Sequence, residues 1–153
     1  MVSDKQKTSR YERLVKQARE LLLKSPSPES AYATLNALLY HKVPYIFWVG
    51  FYLLREEQLI VSAYQGPLAC QILPYPKGVC WQSIIKKKTL LIPDVRMVSN
   101  HVACDSRARS EIVTPLYDIK GAIIGVLDVD SDQTDAFSEV DKKGLEALVQ
   151  LLC

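Results

Sequence analysis

Tyr45-Ile-Phe-Trp-Val-Gly-Phe-Tyr-Leu-Leu54 is aromatic and β-branched along its whole length, too continuous for a strand with one wet face, so it reads as a central strand covered on both sides. Side chains alternate along a strand, which puts Ile46, Trp48, Gly50 and Tyr52 on one face. Gly50 then leaves a gap between two large aromatics where a small ligand fits, and plain core packing is the competing reading.

Around this strand the pattern builds an α+β domain. Downstream, Arg55-Glu-Glu-Gln58 turns the chain into a second strand, Leu59 to Tyr64, as a hairpin. Upstream, Tyr11, Leu14, Val15, Ala18, Leu21 and Leu22 recur at helical spacing and predict an amphipathic helix over residues 8–24, suited to packing or to a dimer contact. Ser25-Pro-Ser-Pro28 ends it. Ser27 as N-cap and Pro28 at the first helical position start a second helix, with Ala31, Tyr32, Leu35, Leu38 and Leu39 as its apolar face.

The middle of the chain is irregular. Gln65-Gly-Pro67 closes the second strand and delivers Cys70, and Pro74 and Pro76 keep the following segment extended. Lys77-Gly-Val-Cys-Trp-Gln-Ser-Ile-Ile85 reads as a short helix with Cys80 in its first turn, where free N–H groups and the helix dipole favour a thiolate. Lys86-Lys-Lys88 falls at the opposite end of that helix and reads as solvated charge. Thr89 to Ile92 is a short strand, and Pro93-Asp94 opens a long loop, a kind of segment that inside a compact domain is commonly functional. That loop ends in His101-Val-Ala-Cys-Asp-Ser-Arg-Ala-Arg-Ser-Glu111, too polar for a core. Beside His101, Arg107 and Arg109 the thiolate of Cys104 is electrostatically favoured, which makes Cys104 the candidate nucleophile; a solvated loop with one incidental cysteine is the alternative.

Glu111–Asp118 and Ala122–Asp130 form a second hairpin around Ile119-Lys-Gly121. Alternation sets Val126, Asp128 and Asp130 on one face, so two carboxylates project side by side from an apolar strand and require a partner or a purpose. Ser138-x-x-Asp141 resembles a capping box and leads a final helix that buries Leu145, Leu148, Val149 and Leu152.

At 153 residues the chain is the size of one domain, residues 1–153, of which 1–35 form an N-terminal helical segment. Its net charge of +2 is too small to imply nucleic acid or an anionic membrane as partner. No apolar run follows the charges of the N-terminus and no stretch approaches a membrane span, which predicts a cytoplasmic protein. In a reducing compartment the four cysteines, Cys70, Cys80, Cys104 and Cys153, suit transient catalytic disulfides better than structural ones. A zinc site built from His101, Cys104, Cys70 and Cys80 competes with this, but it lacks paired C-x-x-C spacing, so no metal is expected.

Six motifs then match in order and spacing: Trp48-Val-Gly-Phe-Tyr52, Gln65-Gly-Pro-Leu-Ala-Cys70, Gly78-Val-Cys80, His101-Val-Ala-Cys-Asp-Ser106, Ser110-Glu-Ile-Val113 and Val126-Leu-Asp-Val-Asp-Ser131. From about Leu35 to the C-terminus the chain resembles the free methionine (R)-sulfoxide reductases, which are stand-alone GAF domains. The resemblance implies a roughly six-stranded antiparallel sheet flanked by helices, a homodimer, and reduction of free methionine (R)-sulfoxide without metal or organic cofactor. It implies Cys104 as the catalytic cysteine, Cys70 as the main resolving partner, Cys80 as a further relay, and thioredoxin as the reductant. Trp48 and Tyr52 line the substrate's methyl and sulfoxide end by the same resemblance, while Glu111, Asp128 and Asp130 hold its ammonium and sulfoxide groups. Trp81 departs from the family, which usually has glycine after Gly-Val-Cys, and Cys153 matches no motif. The alternative is a GAF module that senses a small molecule without catalysing a reaction.

Overall fold

The computed structural model describes residues 2–153, and Met1 lies outside them. Two helices lead, α1 (Asp4–Leu22) and α2 (Pro28–Lys42), followed by the hairpin β1 (Trp48–Arg55) and β2 (Gln58–Gln65). The middle holds β3 (Ile72–Leu73), α3 (Val79–Lys86) and β4 (Leu90–Ile92); the chain ends with the hairpin β5 (Ser110–Tyr117) and β6 (Ile123–Ser131) and then α4 (Glu139–Gln150). The strands form one antiparallel six-stranded sheet in the order β3-β2-β1-β6-β5-β4. This is the α+β architecture read from the sequence.

Alternation along β1 sorts the core into two layers. Val49, Phe51 and Leu53 face α1, α2 and α4 together with Ile112, Leu116, Leu127 and Val129. Trp48 and Tyr52 face the other way, toward α3 and the loops, with Val113 and Val126. Ile46 does not join them. A turn at Pro44-Tyr45 breaks the alternation before β1 begins at Trp48, and Ile46 packs with the helical layer.

The first helix begins earlier than its apolar periodicity suggests. Ser3 caps α1 by accepting from Gln6 N–H while Gln6 returns a bond to Ser3 N–H, so the polar turn Asp4-Lys-Gln-Lys7 is already helical. Lys7 is 5% exposed, and its Nζ meets Asp141 Oδ2 at 2.6 Å. Asp141, fully buried at the start of α4, also accepts from Tyr11 Oη at 2.9 Å, from Tyr45 Oη and from Ser138 N–H at 2.7 Å. The capping residue legible in the sequence is therefore also the point where α1, the chain before β1 and α4 meet. Gly144 permits the contact of those two helices, since a Cβ there would lie 2.3 Å from the Tyr11 ring. Lys86, Lys87 and Lys88 are exposed, as expected, with Lys87 ending α3 in the left-handed conformation. Among the described residues no helix is long and apolar enough to cross a membrane.

Candidate active site

Cross-strand register brings three carboxylates together on the sheet face opposite the main helices. Glu111 on β5 is paired with Asp130 on β6, and Asp128, two residues back on β6, points to the same side opposite Gly50 of β1. Glu111 is 5% and Asp128 7% exposed, and Asp130 is half-buried. Burial, followed by the charge of Asp130, pushes the Glu111 carboxyl up to about 8. Burial and then Glu111 hold Asp128 well above the ordinary carboxylate range, and burial and then Asp128 do the same to Asp130. Three like charges in a dry site cannot all be ionised near neutral pH, so the cluster keeps protons.

Trp48 and Tyr52 form the adjoining wall, stacked at 6.0 Å between ring centroids. Their polar atoms face a loop: Trp48 Nε1 donates to the Pro67 carbonyl at 3.0 Å and Tyr52 Oη to the Cys70 carbonyl at 2.9 Å. Both aromatics thus tie down the segment that carries Cys70, a role that the sequence reading missed. Its only sequence signal is the presence of two aromatics with polar tips on one strand face, since buried Tyr and Trp tips need partners. Gly50 leaves no gap between them. A Cβ at Gly50 would lie 2.6 Å from the Trp48 ring and 2.4 Å from Tyr64 Cβ, because the indole lies across the glycine and stacks on Tyr64 at 5.4 Å. The ligand space expected there is filled by Trp48 itself.

The space lies instead between this wall, the carboxylates, Cys80, His101 and the loop of Cys104, as a cavity of ≈50 Å³. Cys70 and Cys104 are bonded, with an S–S distance of 2.02 Å and Cα atoms 5.4 Å apart across 34 residues of chain. Cys104 lines the cavity, whereas Cys70 stands outside its lining. Cys104 is exposed and Cys70 half-buried. The guanidiniums expected beside Cys104 are engaged elsewhere. Arg107 forms a bidentate pair with Asp105 at 3.0 and 2.7 Å and lies over the Phe47 ring, and Arg109 donates to the carbonyls of Ser106 and Ala108.

Cys80 sits in the first turn of α3, but it is not a thiolate site. At 4% exposure, burial raises the thiol well above its usual range, and Asp128 and Glu111 raise it further. The cost of desolvating a charge among carboxylates outweighs the helix dipole. Its Sγ lies within 4.8 Å of a carboxylate oxygen of both Glu111 and Asp128. Trp81 points away from the cavity: its Nε1 donates to the Leu73 carbonyl at 2.9 Å and its ring meets Tyr75 edge-on at 4.9 Å. The ring therefore fastens β3 to α3 and does not crowd the pocket. His101 Nε2 lies 3.5 Å from Glu111 Oε1, and burial lowers the imidazole, which makes it the neutral form at pH 7. The zinc set of His101, Cys104, Cys70 and Cys80 does not assemble here, because two of its sulfurs are bonded to each other. Cys153 is exposed at the C-terminus, its thiol 3.2 Å from the Tyr117 carbonyl.

This arrangement can perform thiol redox chemistry beside a proton source in a pocket that suits a small polar molecule. The GAF domain family model matches residues 43–152. The chain is 41% identical to GAF domain-containing protein A of Dictyostelium discoideum, over 99% of this chain and 95% of that one. It is 38% identical to the free methionine-R-sulfoxide reductase of Escherichia coli, over 95% of this chain and 88% of that one. A solved structure of free methionine-R-sulfoxide reductase from Neisseria meningitidis in complex with its substrate superposes with a TM-score of 0.91 at 36% identity, covering 99% of this chain and 90% of that one. The chain therefore belongs to the GAF-domain family, in the group that includes the free methionine-R-sulfoxide reductases.

Proposed function

We propose that this protein reduces free methionine (R)-sulfoxide to methionine with Cys104 as nucleophile and Cys70 as resolving thiol. The observation that carries the reading is the Cys70–Cys104 bond at the mouth of an acid-lined cavity, with only Cys104 facing inward.

In the reduced protein the Cys104 thiolate attacks the sulfoxide sulfur. The sulfur–oxygen bond breaks, the oxygen passes to Cys104 as a sulfenic acid with one proton from the carboxylate cluster, and methionine leaves. The Cys70 thiol then displaces water from the sulfenic acid, forming the disulfide, and an external dithiol of the thioredoxin type restores both thiols by exchange. Glu111 and Asp128, held protonated by burial and by each other, are the acid as a coupled pair. In this reading Asp130, half-buried beside them, takes the ammonium of a free amino acid, a group that a residue within a peptide lacks. Cys80, buried and neutral, is a poor nucleophile in this geometry and acts, where it does, after Cys104.

The test supplies separate R and S epimers of free methionine sulfoxide and N-acetylmethionine sulfoxide, with a thioredoxin recycling system, to the wild type and to Cys104→Ser. Only the free R epimer is consumed, and only by the wild type. Equal consumption by both proteins removes Cys104 from the reaction; no consumption by either favours a ligand-sensing role.

A further inference from the structure

We propose that Cys80, Glu111 and Asp128, completed by His101, form a binding site for one thiophilic divalent cation of the zinc class.

The donors are built into rigid elements: Cys80 in the first turn of α3, Glu111 on β5 and Asp128 on β6. One donor atom from each lies within 4.8 Å of the others, and all three residues are buried. The centre of such a triangle is at most about 2.8 Å from each donor, so shifts of under about 1 Å give Zn–S and Zn–O bonds of about 2.3 and 2.0–2.2 Å. Beyond the clustering itself, Glu111 Oε1 and Asp128 Oδ1 are buried with no hydrogen-bond donor from outside the cluster, only the thiol and the protons they hold between them. Buried carboxylate oxygens left unsatisfied are costly, and a cation satisfies both at once. His101 Nε2, neutral and 3.5 Å from that Glu111 oxygen, lies outside the three-donor group and becomes the fourth ligand by a movement of its loop toward the ion. One sulfur, two oxygens and one imidazole nitrogen favour a borderline ion such as Zn²⁺ over Mg²⁺ or Ca²⁺, which prefer oxygen alone. Binding displaces the thiol proton and the protons of the carboxylate pair, with no change of oxidation state.

This set shares Cys80 and His101 with the arrangement weighed from the sequence but needs neither Cys70 nor Cys104, so it is complete while those two are bonded. The inference stands apart from the proposed reduction. Where that reduction holds, an ion seated on Glu111 and Asp128 occupies the proton donors, and metal loading and turnover exclude one another.

The experiment uses oxidised protein carrying Cys153→Ser, in which Cys80 is the one remaining thiol. Titration with Cd²⁺ alone is followed by thiolate-to-metal charge-transfer absorption and by equilibrium dialysis, and Zn²⁺ is then used to displace it. One equivalent per chain with a thiolate band is the expected result. Cys80→Ser on this background abolishes the band and weakens binding at least tenfold. Glu111→Gln weakens binding at least tenfold while keeping the band, which separates loss of a ligand from loss of the fold. Absence of saturable one-to-one binding, or binding that Cys80→Ser and Glu111→Gln leave unchanged, overturns the proposal. Neither readout involves methionine sulfoxide, so failure here is distinct from failure of the reductase reading.

Discussion

Tyr52→Phe separates the step at Cys104 from the step at Cys70. The hydroxyl bonds the Cys70 carbonyl at 2.9 Å, while the ring packs against Trp48 and the buried layer around it. Phenylalanine keeps the ring and deletes the tether. A hydrogen bond of this kind contributes about 1 kcal/mol net, which corresponds to about a fivefold change in the fraction of time the Cys70 loop is held in place. The Trp48 bond to Pro67 remains, so the loop is loosened without being released. Reduced protein is mixed with one equivalent of free methionine (R)-sulfoxide, methionine release is followed by quenched flow, and sulfenic acid and disulfide are followed by trapping and mass spectrometry. Methionine release stays within about twofold of wild type, whereas disulfide formation slows about fivefold and the Cys104 sulfenic acid accumulates. Equal slowing of both steps means that the hydroxyl serves the chemistry directly, and no change in either refutes the tethering role.

Asp141→Ala leaves the buried Lys7 ammonium with the Ala136 carbonyl but no counter-ion, and two tyrosine hydroxyls and a helix-start N–H without their acceptor; it lowers unfolding free energy by about 3–5 kcal/mol in a denaturant titration, while Asn, which keeps one carbonyl oxygen, costs less. Glu111 has a folded-state carboxyl raised to about 8, so in the pre-steady-state reaction the acid form is lost as pH rises through that value and the methionine-release rate falls on the alkaline side; Glu111→Gln removes that limb. The same elevation has a stability sign: the neutral carboxyl is favoured by the fold, so its contribution is full below the unfolded-state value and is lost as pH rises toward 8. The urea midpoint of the wild type therefore declines between about pH 5 and 8 more than that of Glu111→Gln.

Local rules were enough for the elements themselves. Pro28 after Ser27, the hydrophobic run through Phe51, the two hairpins and the Ser138 cap each depend on neighbours within a few residues, where propensity, alternation and capping act directly. Alternation alone also puts Asp128 and Asp130 on one face of their strand, and the register between β1 and β6 makes it the face that carries Trp48 and Tyr52. Alternation carries Ile46 to the wrong layer because one turn at Tyr45 resets the period, and apolar periodicity does not mark the start of α1 because its first turn is polar.

Charge and contact were decided by the tertiary structure, because both depend on what lies across space and not along the chain. Lys7 looks like a solvent residue until Asp141, distant in sequence, gives it a buried partner. Cys80 has the helical position of a thiolate, yet three carboxylates from two other strands and the exclusion of water keep it a thiol. Arg107 and Arg109 are close to Cys104 in sequence but spend their donors on Asp105 and on backbone carbonyls. The space beside Gly50 belonged to an indole, and the cavity opened where α3, the Cys104 loop and the β5–β6 face converge. Sequence determines which groups a segment offers; folding determines which of them lose water, and desolvation sets their protonation and reactivity.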